Sequence, residues 1–246
     1  MDKNLIFDIG LHKGLDANFY LRKGFQVVGL EAVQELCEKS LEMNREFKLL
    51  GKFSVINKAL YSTSGGTVEF FVNADKDDWG SLFQHAAEKG AGSAIKITVP
   101  TITLDELVRT YGIPYYMKCD IEGGDTIVAD QLVGLRERPE FVSLEATKAD
   151  DIAKLHCCGY DRYQLVNQYI NQFTRAPNPP REGTYVEGNF NHEMSGLFGK
   201  ELEPNQWVSF TEVTRQFLDW YDLRSRNANL ALGWLDVHAC NAKSLS

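Results

Sequence analysis

Short apolar runs alternate with amphipathic stretches along this chain, and the alternation begins at its start. Leu5-Ile6-Phe7 is apolar throughout, as a strand covered on both faces is, and Asp8-Ile9-Gly10 closes it with a turn. Phe19-Tyr20-Leu21 supplies the apolar face of a helix that opens near Gly14 and Asp16 and stops at Gly24. Gln26 to Leu30 is a second apolar run, ending on Glu31 and followed by Ala32. The unit is strand, glycine turn, helix, strand, with a carboxylate at its far tip.

The same alternation continues. Val33 to Lys48 lacks Gly and Pro and reads as an amphipathic helix, and Phe53 to Leu60 returns to strand. Tyr61 to Val72 carries Gly65-Gly66 between β-prone residues and predicts a hairpin. Asn73 to Gly92 is a long polar stretch holding Trp79 and Ser81, either a lid near the substrate or a surface loop anchored by its Trp. Ile95 to Thr103 is strand-like, and Thr103 opens a helix with acids in its first turn. Tyr115 to Ile121 and Glu140 to Ala146 are further strands, with Asp125 and Thr126 predicted to cap the helix between them. Lys148 to His156 reads as helix, and Tyr163 to Val166 as a late antiparallel strand. Phe173 to Pro204 is rich in turn formers and forms an insertion, Thr211 to Arg224 is helical, and Leu232 to Ala239 is a closing strand. The expected architecture is one α/β domain over residues 1–246, a mostly parallel sheet with helices on both faces, an added β-hairpin and a late antiparallel strand.

The first turn selects among nucleoside ligands. A dinucleotide site wants G-x-G-x-x-G before a helix N-terminus that faces pyrophosphate, and here Asp16 puts a negative charge in that place. The segment from Asp8 to Asp16 instead reads D-x-G-x-x-x-G with an acid at each end, which favours a ligand carrying ammonium and sulfonium charges, as S-adenosylmethionine does. Glu31, about 20 residues on, is placed to hold a ribose diol. Asn57 and Ala59, at the end of the third strand, either border the adenine or cap a local turn. Alternation along the Tyr115 to Ile121 strand puts Lys118, Asp120 and Glu122 on one side, where their charges either direct at least Asp120 and Glu122 into a cleft or form a Lys118–Asp120 ion pair that holds the sheet end.

Asp8-Ile9-Gly10, Gly14, the Val27 to Ala32 strand, Leu104-Asp105-Glu106-Leu107 and Lys118-Cys119-Asp120-Ile121-Glu122-Gly123 together resemble the FkbM family of S-adenosylmethionine-dependent methyltransferases. The likeness runs from about Asn4 to Ala146, and K-x-D-x-E-G is its most specific part. His12 departs from the small residue common at the middle of such glycine loops. The resemblance implies a Rossmann-like methyltransferase fold and S-adenosylmethionine as cofactor, bordered by Asp8, Gly10, His12, Gly14, Asp16, Glu31, Ala32, Asn57, Ala59 and Asp120. It makes Glu122 and Glu145 the catalytic candidates for deprotonating a hydroxyl, with His12, His156 and His192 as alternative bases. Trp79 and Ser81 of the long polar stretch are expected to border the acceptor, and in similar family members a late insertion such as that holding His192 and Ser195 borders the substrate pocket, the alternative being an ordered surface loop without chemistry. The function implied is O-methylation of a sugar or small-molecule hydroxyl. A non-catalytic nucleoside-binding domain is the alternative, and an NAD-dependent oxidoreductase is disfavoured by the failed pyrophosphate loop.

Composition narrows the partners. With a formal net charge of −8 over 246 residues there is no overall basic field for nucleic acid. No run of 18 apolar residues occurs, so a membrane span is not expected and a cytoplasmic location is. The five cysteines, with Cys157 and Cys158 adjacent and no C-x-x-C pair, read as free thiols, and no spacing is diagnostic of a metal. Homo-oligomers remain open.

Overall fold

The computed structural model describes residues 2–75, 79–88, 92–187, 190–227 and 232–245. The expected lid of residues 73–92 therefore lies partly outside the described residues, as does Asn189 of the late insertion.

The opening unit forms as the pattern requires: β1 (Asp2–Ile9), α1 (Leu15–Arg22) and β2 (Gln26–Glu31). Residues Leu5 to Ile9 are all buried, as befits a strand with helices on both faces. The next helical stretch breaks in two, α2 (Gln34–Met43) and α3 (Arg45–Leu49). The break falls at buried Asn44, whose side-chain amide donates to the carbonyls of Ser40 and Gly14, both at 3.1 Å, and so ties the helix to the first turn. The predicted third strand also divides, into β3 (Phe53–Asn57) and β4 (Ala59–Leu60), which belong to different sheets.

The added β unit is present, but its turn is not at Gly65-Gly66. β5 (Thr67–Asn73) pairs antiparallel with β6 (Ala94–Ile102) across residues 74–93. Gly65 and Gly66 instead extend that ladder, Gly65 N–H donating to Thr101 O and Thr101 N–H to Gly66 O. β4 joins the other edge of β6 in parallel, giving a three-stranded sheet that also carries a four-residue helix, α4 (Gln84–Ala87), in the β5–β6 connection.

Thr103 caps α5 (Leu104–Tyr111) by accepting from Glu106 N–H. β7 (Pro114–Cys119) follows, then α6 (Asp125–Gly134), β8 (Phe141–Glu145), α7 (Ala149–Cys157) and β9 (Arg162–Asn167). The cap of α6 differs from expectation: Gly124 holds the N-cap position with no side-chain bond, Asp125 Oδ1 accepts from Glu145 N–H at 3.4 Å, and Thr126 donates to Asp151. Ser209 caps α8 (Phe210–Arg226), and β10 (Leu235–Cys240) closes the sheet.

The central sheet runs β3-β2-β1-β7-β8-β10-β9. The first five strands are parallel, and β10 lies antiparallel to both neighbours. The reversed strand is thus the closing one, inserted between β8 and β9, while β9 is antiparallel only to β10. One apolar layer, with Leu104, Leu107, Val128, Leu132, Ile152 and Phe217, packs on one face, and Phe19, Tyr20, Phe25, Tyr116 and Phe198 fill the other. The strand order places the carboxyl ends of β1, β2, β7 and β8 along one rim, where open α/β sheets hold their ligands.

Candidate active site

A cavity of about 590 Å³ opens along that rim. The first turn forms its floor. Gly10 takes φ +83°, and a Cβ there would stand 1.8 Å from the carbonyl oxygen of Asp120, so the turn and the end of β7 touch backbone to backbone. Asp120 N–H donates to Ile9 O, while Gly10 and Leu11 N–H both donate to Leu30 O. His12 follows at φ 51°, a left-handed conformation unusual outside glycine, and its side chain lines the cavity.

Glu31 lies at the β2 end of the cavity, with Ala32, Val33, Leu36, Lys58, Ala59 and Leu60 around it. Its carboxylate accepts from His12 N–H at 2.8 Å and Val33 N–H at 2.9 Å. Burial raises the affinity of Glu31 for a proton, opposed by those two amides, which favour the ionised form. Asn57 stands behind this corner, donating to the carbonyls of Glu31 and Ala32 at 3.1 and 2.9 Å.

Lys118 lies beneath the centre. Its ammonium is 3.2 Å from Asp8, 3.2 Å from Asp16 and 4.0 Å from Asp120, with the Gly10 carbonyl at 3.3 Å. Asp8 is fully buried and its proton affinity is raised by burial, against the pull of Lys118. Asp16 turns its other side to the late insertion, accepting Ser195 N–H at 3.1 and 3.0 Å. The insertion is thereby fastened over the first turn, and Lys13 adds an ion pair to Glu193 at 2.8 Å.

Toward β8 and β10 the wall carries Glu122, Glu145, Asp236, Gln168, Tyr169, Trp234 and Arg224, and Phe70 of β5 with Trp79, Gly80 and Leu82 of the β5–β6 connection also line the cavity. Glu122 has φ 49°, in a turn whose carbonyl accepts from Ser81 Oγ at 2.7 Å. β7 ends at Cys119, so Asp120 and Glu122 reach the cavity from this turn and not by strand alternation.

The cavity thus gathers Gly10, His12, Asp16, Glu31, Ala32, Ala59, Trp79, Asp120, Glu122, Glu145, His192 and Ser195 from the residues predicted to form a site. Asp8, Gly14, Asn57 and Ser81 stand behind its wall, each supporting a residue that does line it. Gly14, at φ +79°, abuts Ser40 and Asn44. His156 lies elsewhere, stacked on Phe210 with ring centroids 4.2 Å apart. Sequence reasoning missed Gln168, Tyr169, Trp234 and Asp236. Among the described residues no cluster of three His, Cys, Asp or Glu side chains is arranged to hold a metal, and no helix is long and apolar enough to cross a membrane.

The donor set suits a ligand with a sugar diol at one end and positive charge further along: a hydrogen-bonded carboxylate at the β2 tip, an apolar corner beside it, and Asp16, Asp120, Glu145 and Asp236 around Lys118, which Asp8 and Asp16 engage. The Methyltransferase FkbM domain matches residues 8–164, well over half of the chain. The chain belongs to the FkbM methyltransferase family, and S-adenosylmethionine is its cofactor. Among solved structures it is similar to precorrin-6Y C5,15-methyltransferase from Geobacter metallireducens, with 10% identity over 98% of this chain and 82% of that one and a TM-score of 0.41. A SAM-dependent methyltransferase from Thiobacillus denitrificans in complex with S-adenosyl-L-homocysteine gives 12% identity over 97% and 85%, with a TM-score of 0.40. No curated protein matches the chain.

Proposed function

We propose that this methyltransferase transfers the methyl group to a hydroxyl of a sugar or other small molecule. One observation carries the reading: the cavity has two chemically different ends. Glu31 ends β2, whereas Glu145 ends β8, three strands away in the sheet order, a separation of about 14 Å at the usual strand spacing. The β2 end offers a diol-binding carboxylate and apolar surface for a nucleoside. The β8 end offers carboxylates beside aromatic faces, groups suited to take a proton from a hydroxyl and to cover the faces of a small polar ring.

When bound, S-adenosylmethionine supplies an electrophilic methyl group on a sulfonium. This chain supplies the rest. Glu31 holds the ribose hydroxyls, Asp16 and Asp120 offset the positive charge of the amino-acid portion, and Lys118 keeps their carboxylates fixed from below. Glu122 and Glu145 are the proton acceptors within reach of the other end, while Trp79, His192 and Ser195 border the acceptor. Holding both reactants in one cavity contributes most where alignment is demanding.

The reading is tested by calorimetric titration with S-adenosylmethionine, S-adenosylhomocysteine and NAD, followed by a labelled-methyl screen of hydroxylated sugars and metabolites. The expected result is binding of the first two ligands, none of NAD, and label in an ether. Label recovered only in amines or thiols would overturn the hydroxyl assignment.

A further inference from the structure

β10 brings to the cavity a carboxylate that no strand-tip pattern in the sequence announces. Asp236 is its second residue and stands directly opposite Glu145 of β8 in antiparallel register. Residues so paired project to the same face of a sheet with Cβ atoms about 5 Å apart, and both of these line the cavity. Asp236 is only 6% exposed. Its Oδ2 accepts from the Gln168 amide at 2.8 Å, and the same amide reaches Ser195 O at 3.4 Å. Gln168 is held in turn by Asn171, whose amide donates to Gln168 Oε1 at 3.1 Å and to Met194 O at 2.9 Å. A chain of side-chain amides therefore fixes one oxygen of Asp236 and ties it to the insertion over the first turn.

The charged groups facing Asp236 are Glu145 from β8, Asp120 and Lys118 from the end of β7, and Asp125 from the start of α6. Lys118, the cation among them, is engaged by Asp8 and Asp16. Burial first, then the charges of Asp120 and Glu145, raise the proton affinity of Asp236 well above that of an ordinary aspartate.

We infer that Asp236, oriented by Gln168, takes the proton of the acceptor hydroxyl and shares it with Glu145 across the β8–β10 pair. The inference rests on the methyl-transfer reading and deepens it. The O–H bond breaks toward the carboxylate while a lone pair of the acceptor oxygen forms the new bond to carbon. The cofactor leaves as a neutral thioether, its sulfur keeping the electron pair of the broken bond. The site loses one positive charge from the sulfonium and one negative charge from the carboxylate, so its net charge is unchanged. Until then the carboxylate must be ionised, and a cationic ligand in the same cavity favours that form.

Proton release on binding tests this without an acceptor. The full chain is titrated with S-adenosylmethionine and with neutral-sulfur S-adenosylhomocysteine, between about pH 5 and 8, in buffers of different ionisation enthalpy. The wild type is expected to release about one more proton with S-adenosylmethionine at the lower end of that range. In Asp236→Asn the excess disappears, and preference for S-adenosylmethionine over the homocysteine analogue falls roughly tenfold, the effect of losing an opposite charge nearby. Gln168→Leu keeps the carboxyl but removes the amide that favours its ionised form, so its release shifts to higher pH. Unchanged excess release in Asp236→Asn, or an unmoved midpoint in Gln168→Leu, overturns the inference while leaving methyl transfer intact. Failure of the wild type to bind S-adenosylmethionine overturns both.

Discussion

Replacing Lys23 with Met probes the contact that holds the late insertion to the body of the fold. Lys23 follows α1, and its ammonium lies 2.6 Å from Glu201 Oε1 and 3.2 Å from Thr184 O, with side-chain exposures of 1% for Lys23 and 0% for Glu201. Glu182 N–H reaches the same Glu201 oxygen at 3.3 Å, and the Glu182 carboxylate accepts from Tyr115 OH and Lys200 N–H. Removing the cation leaves a buried carboxylate beside a second one, and breaking a buried pair from one side destabilises by about 3–5 kcal/mol. The loss depends on pH. Burial foremost, with the charge of Glu201 adding to it, pushes the Glu182 carboxyl up to about 7. The folded state therefore holds a proton that the unfolded chain has lost above about pH 4, and stability from this group falls as pH rises toward 7. Lys23→Met deepens that fall, because a protonated carboxyl is the neutral solution left to the pair. Guanidinium unfolding at pH 8 is expected to show the full loss, with part of it restored at pH 5. Lys23→Met with Glu201→Leu removes both charges and recovers most of the stability. A loss under about 1 kcal/mol at pH 8, or one equal at both pH values, would refute the reasoning.

Gly10→Ala places a methyl group against the Asp120 carbonyl at a positive φ, and strain with overpacking predicts a loss of about 2–5 kcal/mol, read as a melting temperature lower by at least about 5 °C. A melting temperature within a degree or so of the wild type rules out that contact. Glu31→Ala is expected to weaken S-adenosylhomocysteine binding by about 1.5–3 kcal/mol in calorimetry, as loss of a charged acceptor does, and unchanged affinity in a folded variant means that the diol is held elsewhere. Glu122→Gln or Glu145→Gln is expected to slow single-turnover methyl transfer by about 10²–10⁴-fold with cofactor binding retained, and wild-type rates in both would leave Asp236, His12 and His192 as the bases to test.

What the sequence made legible was local. The first strand, its glycine turn and Glu31 lie within 31 residues, so apolar runs and one spaced acid were enough to predict that half of the cavity. Lys118, Asp120 and Glu122 were visible as a charged cluster in an apolar run, but its internal arrangement was not: Lys118 joins Asp8 and Asp16, more than a hundred residues earlier. Asp236 was hidden for a different reason. β10 reads as an ordinary strand, and only its insertion beside β8 turns an acid within it into a neighbour of Glu145. The same limit explains the displaced hairpin turn. Gly65-Gly66 has favourable turn chemistry, yet β5 gains a longer ladder with β6 than the two residues of β4 provide.

The position of β10 also sets the order in which a growing chain acquires its parts. β9 is synthesised about seventy residues ahead of the strand that separates it from β8, so until Leu235–Cys240 emerges β9 has no partner in the central sheet and β8 presents an open edge. The strands that carry one end of the cavity, β1 and β2, are synthesised far earlier than β8 and β10, which carry the other. A lesion in the last strand consequently removes an interior beam and not a fringe: it strands β9, exposes β8 to strand addition by other chains and leaves the β1–β2 end of the cavity without its opposite wall.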